Sequence, residues 1–130
     1  MKRLGIFVFY DKEVIIYEYV IYLLKSLETV CERLVVISNG KLRKEERAKI
    51  GVCTHEILTR ENKGYDVGAY KEVIINYLGF DEICKYDELV LMNDTVYGPF
   101  IPMKDMFEEM QSRECNFRGI TKHAKTYMSY

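Results

Sequence analysis

Short, nearly unbroken apolar runs alternate with longer stretches of helical spacing, and this alternation constrains the fold more than any other feature of the chain. Leu4-Gly5-Ile6-Phe7-Val8-Phe9-Tyr10 is rich in β-formers and reads as a strand buried on both faces. Val14 to Glu28 follows with the stripe Ile15, Tyr19, Tyr22, Leu23 and Leu27, which predicts a helix. Leu34 to Ser38 is a second strand, closed by the turn signal Asn39-Gly40. Leu42 to Lys49 is charged and helix-prone, Thr54 to Thr59 reads as a third strand, and Arg60 to Asp66 as a polar loop. Val67 to Leu78 predicts a helix with Val73, Ile74, Tyr77 and Leu78 inward. Glu88 to Met92 is a fourth strand, Pro99 and Pro102 bracket a turn, Met103 to Gln111 is helical, and Asn116 to Thr121 begins a fifth strand. Strands alternating with helices predict an α/β fold with a mostly parallel sheet and flanking helices.

The 130 residues suit one domain, 1–130, around one core. With 19 Lys+Arg against 20 Asp+Glu the net charge is −1, which argues against a general nucleic-acid binder. No apolar run reaches the roughly 18 residues of a membrane-spanning helix, because Glu18 and Lys25 interrupt the most apolar segment. The start lacks the pattern of a signal peptide: the apolar run is short and leads into Asp11-Lys12-Glu13. Cys31, Cys53, Cys84 and Cys115 are widely spaced, which suits reduced thiols in the cytoplasm better than a zinc site.

In a parallel α/β sheet, ligands bind beyond the carboxyl ends of the strands. That rule selects Tyr10-Asp11, Ser38 to Gly40, Arg60 to Asp66 and Asn93 to Tyr97. The loop Arg60-Glu61-Asn62-Lys63-Gly64-Tyr65-Asp66 places two basic residues at a helix start, an arrangement that suits phosphate. Gly64 permits a positive φ there, and Gly68 and Ala69 keep the first turn small enough for a backbone or ligand to come close. The same residues equally describe a helix capped by Asp66 with solvated charges. Asn93-Asp94 directly follows a buried strand, where a carboxylate is costly unless paired. A divalent cation, Mg²⁺ or Mn²⁺, bridging a diphosphate would pair it; the alternative is turn chemistry. Tyr65 and Tyr97 are positioned either to stack on a base or sugar ring or to pack the loops on the sheet.

The strings Arg-Glu-Asn-Lys-Gly-Tyr-Asp-Val-Gly-Ala-Tyr-Lys (60–71) and Leu-Met-Asn-Asp-Thr-Val-Tyr-Gly-Pro (91–99) together resemble the rhamnan synthesis protein F family. Phe9-Tyr10-Asp11 and Phe117-Arg118-Gly119-Ile120-Thr121 are similar to weaker motifs of that family, which usually has Trp where Arg118 stands. The resemblance covers nearly all of the chain. It implies a GT-A or Rossmann-like nucleotide-sugar-binding half of a polysaccharide-building glycosyltransferase. The donor would be a nucleoside-diphosphate sugar, dTDP-rhamnose foremost. The acceptor would be a glycan or lipid-linked glycan of the cell wall or O-antigen, reached from the cytoplasmic face of the membrane.

By the same resemblance, Asn93 and Asp94 occupy the place of the metal- and diphosphate-holding element. Tyr10 and Asp11 would lie near the base and ribose, and Arg60, Asn62 and Asp66 near the nucleotide or donor sugar. Thr95 replaces the commoner serine and keeps the hydroxyl. Arg60 and Lys63 would add charge-assisted hydrogen bonds to phosphate, and Asp66 is the candidate base. Chains of this kind usually run to roughly 200 residues or more, so 1–130 is expected to be the donor-binding part. His123 and Tyr127 vaguely resemble a later family segment, at a shorter spacing. A non-catalytic sugar-nucleotide-binding or assembly module is the alternative. A flavodoxin-like or receiver-like domain fits poorly, because Asp11 stands alone after the first strand and no Ser/Thr/Gly-rich loop follows.

Overall fold

The computed structural model describes residues 1–95 and 97–119. Its centre is β1 (Arg3–Phe9), which is buried along its whole length. β1 pairs in parallel with β2 (Arg33–Ser38) on one side and with β4 (Glu88–Asn93) on the other, and β2 pairs with β3 (Ile57–Thr59). The sheet is therefore four all-parallel strands in the order β3-β2-β1-β4. The predicted α/β class is the observed one.

Alternation along β1 divides the core between two faces. Phe7 and Phe9 pack with α1 (Glu18–Glu28), Ile50 of α2 (Lys44–Ile50), and Met103 and Phe107 of α5 (Met103–Gln111). Leu4, Ile6 and Val8 face the other way, onto Ala69 of α3 (Tyr65–Lys71), Val73, Ile74 and Leu78 of the π-helical continuation Glu72–Leu78, and Ile83 of α4 (Phe80–Ile83). Both faces of β1 and β2 are covered, which is why these strands read as continuous apolar runs, while β4 at the sheet edge leaves Leu89 and Leu91 exposed on one face. The chain builds outward from β1 to β3, then crosses to β4 on the far side of β1. In folds of this kind such a reversal marks where ligands bind, which makes the carboxyl ends of β1 and β4 the candidate crevice.

Several boundaries differ from the expected ones, each for a local reason. α1 begins at Glu18 rather than Val14, because Asp11 folds the preceding segment: its Oδ2 accepts the Glu13 N–H at 3.0 Å and the Ile15 N–H at 3.1 Å. Val14 sits there at φ 57°, a left-handed conformation costly for a β-branched residue. The buried stripe of α1 is accordingly Val20, Leu23, Leu24 and Leu27, with Tyr22 exposed. β3 starts at Ile57 rather than Thr54, whose hydroxyl donates to Leu34 O at 2.6 Å and accepts the Glu56 N–H at 3.1 Å, making a turn. The helix expected from Val67 starts at Tyr65 and widens into π geometry at Glu72, so Tyr77 rotates outward and donates to Glu56 Oε1 at 2.9 Å. The four-residue α4 went unpredicted. Asn116–Gly119 are not in a strand, and Ile120, Thr121, His123 and Tyr127 lie outside the described residues.

A buried acid holds the segment after β1. Glu46, 6% exposed on α2, accepts the Ile16 N–H at 2.7 Å and the Lys49 ammonium at 2.9 Å. The Ile16 N–H, then Lys49, holds its carboxyl below the usual 4.5. Glu46 therefore stabilises the fold above about pH 4.5, and that contribution disappears as pH falls through its lower folded value. Glu46→Ala leaves the Ile16 N–H unpaired and is expected to cost about 1–3 kcal/mol at neutral pH, less in acid. Urea unfolding at the two pH values measures the difference.

Candidate functional site

The candidate crevice lies at the carboxyl ends of the strands. After β1, the Tyr10 N–H donates to Asp94 Oδ2 at 3.4 Å, linking the segments that leave β1 and β4. After β2, the Asn39 N–H donates to Phe9 O at 2.8 Å. The Asn39 side chain, 2% exposed, accepts from Arg60 Nη1 at 2.7 Å and donates to Tyr65 O at 3.2 Å. Arg60 Nη2 in turn donates to Lys63 O at 2.8 Å. Asn39 and Arg60 thus shape the β3–α3 loop from beneath.

That loop turns into α3 through two consecutive left-handed residues, Gly64 at φ 72° and Tyr65 at φ 52°. Gly64 supplies the positive φ its sequence position suggested. Gly68 allows the loop to lie on the helix: a Cβ there would meet Lys63 O at 2.5 Å and Arg60 Nη2 at 3.2 Å. The close approach expected at this first turn is therefore to the loop's own backbone. Alanine normally favours a helix over glycine by about 1 kcal/mol. Here Gly68→Ala is expected to destabilise by about 1–3 kcal/mol, because a carbonyl must move. Thermal unfolding gives the sign.

The two motif segments meet at the mouth. Asn93 Nδ2, at the end of β4, donates to Asp66 Oδ2, in the first turn of α3, at 2.6 Å. Asn93 Oδ1 accepts the Thr95 hydroxyl at 2.6 Å and the Thr95 N–H at 3.2 Å. Asn93 therefore cross-braces the mouth, with both ends of its amide used. Asp94 is half-buried beside it, and burial is the main cause that pushes its carboxyl above the usual range. The negative charges of Asp66 and Asp11 push the same way, against the Tyr10 N–H and its own N–H. Tyr70 reports the same field: burial, then Asp66 and Asp94, push its hydroxyl to about 12.

Asp11, Asp66, Asp94, Asn93, Thr95 and Tyr10 are thus gathered around the crevice. Asn62, Lys63, Gly64 and Tyr65 stand at the exposed loop tip, where Lys63 pairs with Glu61 at 2.9 Å. Tyr97 is 68% exposed and packs against Tyr19, ring centroids 4.7 Å apart. Sequence reasoning assigned no role to Asn39, Tyr19 or Tyr70. Asn39 was legible as a turn residue at a candidate strand end, without its partners, and Tyr19 only as part of a helical stripe.

Among the described residues no group of three His, Cys, Asp or Glu is placed to hold an ion unaided. Asp94 is a single half-buried carboxylate in the negative field of Asp66 and Asp11.

Residues 34–129 match the family model described as rhamnan synthesis protein F. The chain is also similar to an uncharacterized protein, y4gN, of Sinorhizobium fredii, with 27% identity over 93 residues. That alignment covers 72% of this chain and 24% of the relative, so the chain spans about a quarter of the relative's length. No solved structure matches the chain.

Proposed function

Since the chain belongs to the rhamnan synthesis protein F family, we propose that its crevice binds a nucleoside-diphosphate sugar, dTDP-rhamnose foremost, for transfer to a growing polysaccharide. The observation that carries this reading is the meeting of the two motif segments at the sheet's topological switch point, through Asn93–Asp66 at 2.6 Å and Tyr10–Asp94 at 3.4 Å. The parallel sheet with a switch point is what a GT-A or Rossmann-like donor half requires.

Asp94 is the proposed anchor for Mg²⁺ or Mn²⁺ shared with the diphosphate. When bound, the cation offsets negative charge that develops on the leaving nucleoside diphosphate. Asn93 holds Asp94's strand end and Asp66 in register. Tyr10 and Asp11 line the base and ribose side, and Tyr65 offers an exposed ring at the loop tip. Lys63, whose exposed pair with Glu61 would have to be exchanged, and Asn62 at the same tip would turn onto phosphate, while Arg60 positions the loop that carries them. Asp66 is the proposed base: Asn93 occupies its Oδ2, leaving Oδ1 to accept the acceptor hydroxyl's proton.

The acceptor in this reading is a glycan or lipid-linked glycan at the cytoplasmic face of a membrane, approached peripherally. No helix among the described residues is long and apolar enough to cross one. Incubation with labelled dTDP-rhamnose, Mn²⁺ and a rhamnose oligosaccharide tests the proposal. Release of dTDP with extension of the oligosaccharide is expected. Binding without transfer supports a non-catalytic sugar-nucleotide-binding or assembly role instead, and absence of binding contradicts both.

A further inference from the structure

We infer that Tyr17, Tyr19 and Tyr97 form the platform on which the acceptor glycan lies, immediately beside the donor crevice. The inference rests on the donor reading above and adds the second subsite to it.

The three tyrosines come from the two segments that flank the crevice. Tyr17 is the N-cap of α1 and Tyr19 stands in its first turn, while Tyr97 follows β4. The rings of Tyr17 and Tyr19 are nearly parallel, with planes 10° apart and centroids 6.4 Å apart. Tyr97 leans on Tyr19 at 4.7 Å. Tyr17 and Tyr97 are 48% and 68% exposed, a large aromatic surface to leave in water without a partner. The Tyr22 hydroxyl donates to Pro99 O at 3.0 Å and so fixes the Tyr97 segment against α1. The platform flanks the candidate crevice: Tyr97, which leans on Tyr19, follows Asp94 by three residues, and Asp94 is tied to Tyr10 at 3.4 Å.

The chemistry of this surface fits a neutral sugar chain. A pyranose ring presents a C–H face that packs on the electron-rich face of an aromatic ring, and its rim of hydroxyls seeks hydrogen-bond partners. Tyrosine supplies both an apolar body and a polar tip. Asp11 and Asp94 add carboxylate acceptors for sugar hydroxyls at the junction with the donor. The local charges are mainly acidic: Asp11, Glu13 and Glu18 against Lys12. That balance opposes an anionic lipid surface and leaves a neutral glycan unaffected.

A rhamnose trisaccharide is the probe. Saturation-transfer NMR with irradiation of the tyrosine resonances reads its ring protons. Calorimetry with dTDP-rhamnose and Mn²⁺ reads the donor, and circular dichroism verifies that each variant folds. Transfer to the trisaccharide is expected in the wild type and in Tyr17→Phe. It should fall by at least about threefold in Tyr17→Ala and vanish in the Tyr17→Ala/Tyr97→Ala double variant, with donor affinity unchanged in Tyr17→Ala. Donor binding with no transfer to the trisaccharide, or with transfer undiminished in the double variant, overturns the platform and leaves the donor site standing. A tyrosine-dependent trisaccharide signal without donor binding keeps the platform and overturns the donor reading. Tyrosine-dependent sedimentation with phosphatidylcholine/phosphatidylglycerol vesicles, with no trisaccharide signal, assigns the surface to a membrane and overturns the inference.

Discussion

Asp94→Asn is expected to weaken binding of dTDP in the presence of Mn²⁺ by about 10- to 100-fold, while leaving thermal stability no lower than that of the wild type. The two effects have opposite origins. The proposed cation contact is charge-assisted, and losing it removes about 1.5–3 kcal/mol. In the unliganded fold the same carboxylate sits half-buried in the field of Asp66 and Asp11, so its charge opposes folding. An acid with a raised folded pKa is least unfavourable below its unfolded value, and its penalty grows as pH rises through the folded one. Above the folded value the penalty is fully present, and an uncharged asparagine relieves it. A structural carboxylate would behave differently: its neutral replacement would lower stability and leave dTDP affinity alone. Calorimetry and thermal unfolding of one purified variant separate the two cases.

Phe7→Ala is expected to have the largest effect on stability. Phe7 is 0% exposed at the centre of β1, with Val36 of β2 and Met92 of β4 as its cross-strand partners. Its ring belongs to the cluster that holds α1 and α5 on the sheet. Truncation removes the ring's burial and leaves a cavity that four packed elements cannot close, a loss of about 3–5 kcal/mol. Against a total of about 5–15 kcal/mol, that is a large part of the stability of a domain this size. Tyr65→Ala provides the contrast. Its side chain is 81% exposed, and the change should stay within about 0.5 kcal/mol. Urea denaturation of both variants measures the gap.

β1 and β2 were legible because they lie between two covered faces, which leaves an apolar run no other interpretation, whereas β4, expected to be buried, leaves Leu89 and Leu91 exposed on one face. Boundaries were less legible where a side chain competes with regular structure. Asp11 delays α1, Thr54 delays β3, and neither signal has a period. The π geometry after Glu72 is a tertiary outcome, and it turned Tyr77 from an expected core residue into a partner of Glu56. α4 is too short, at four residues, to show any periodicity. The carboxyl ends of the strands were legible because the parallel topology alone determines where they gather. The partners within the site were not legible. Nothing in the spacing of Arg60 shows that Asn39 and Lys63 O would take its guanidinium, since those contacts exist only once β2 and β3 are paired. The aromatic face is likewise a product of two segments 78 residues apart in the case of Tyr19 and Tyr97.

The most direct measurement is paramagnetic broadening of backbone amide signals by Mn²⁺ in the presence of dTDP. The expected result is selective loss of the Tyr10, Asp66, Asp94 and Thr95 amides, absent without dTDP and absent in Asp94→Asn, while Glu32 and Asp87 at the opposite end of the sheet stay sharp. Broadening centred away from those four residues, or equal broadening with and without dTDP, would contradict a diphosphate site at the junction of β1 and β4.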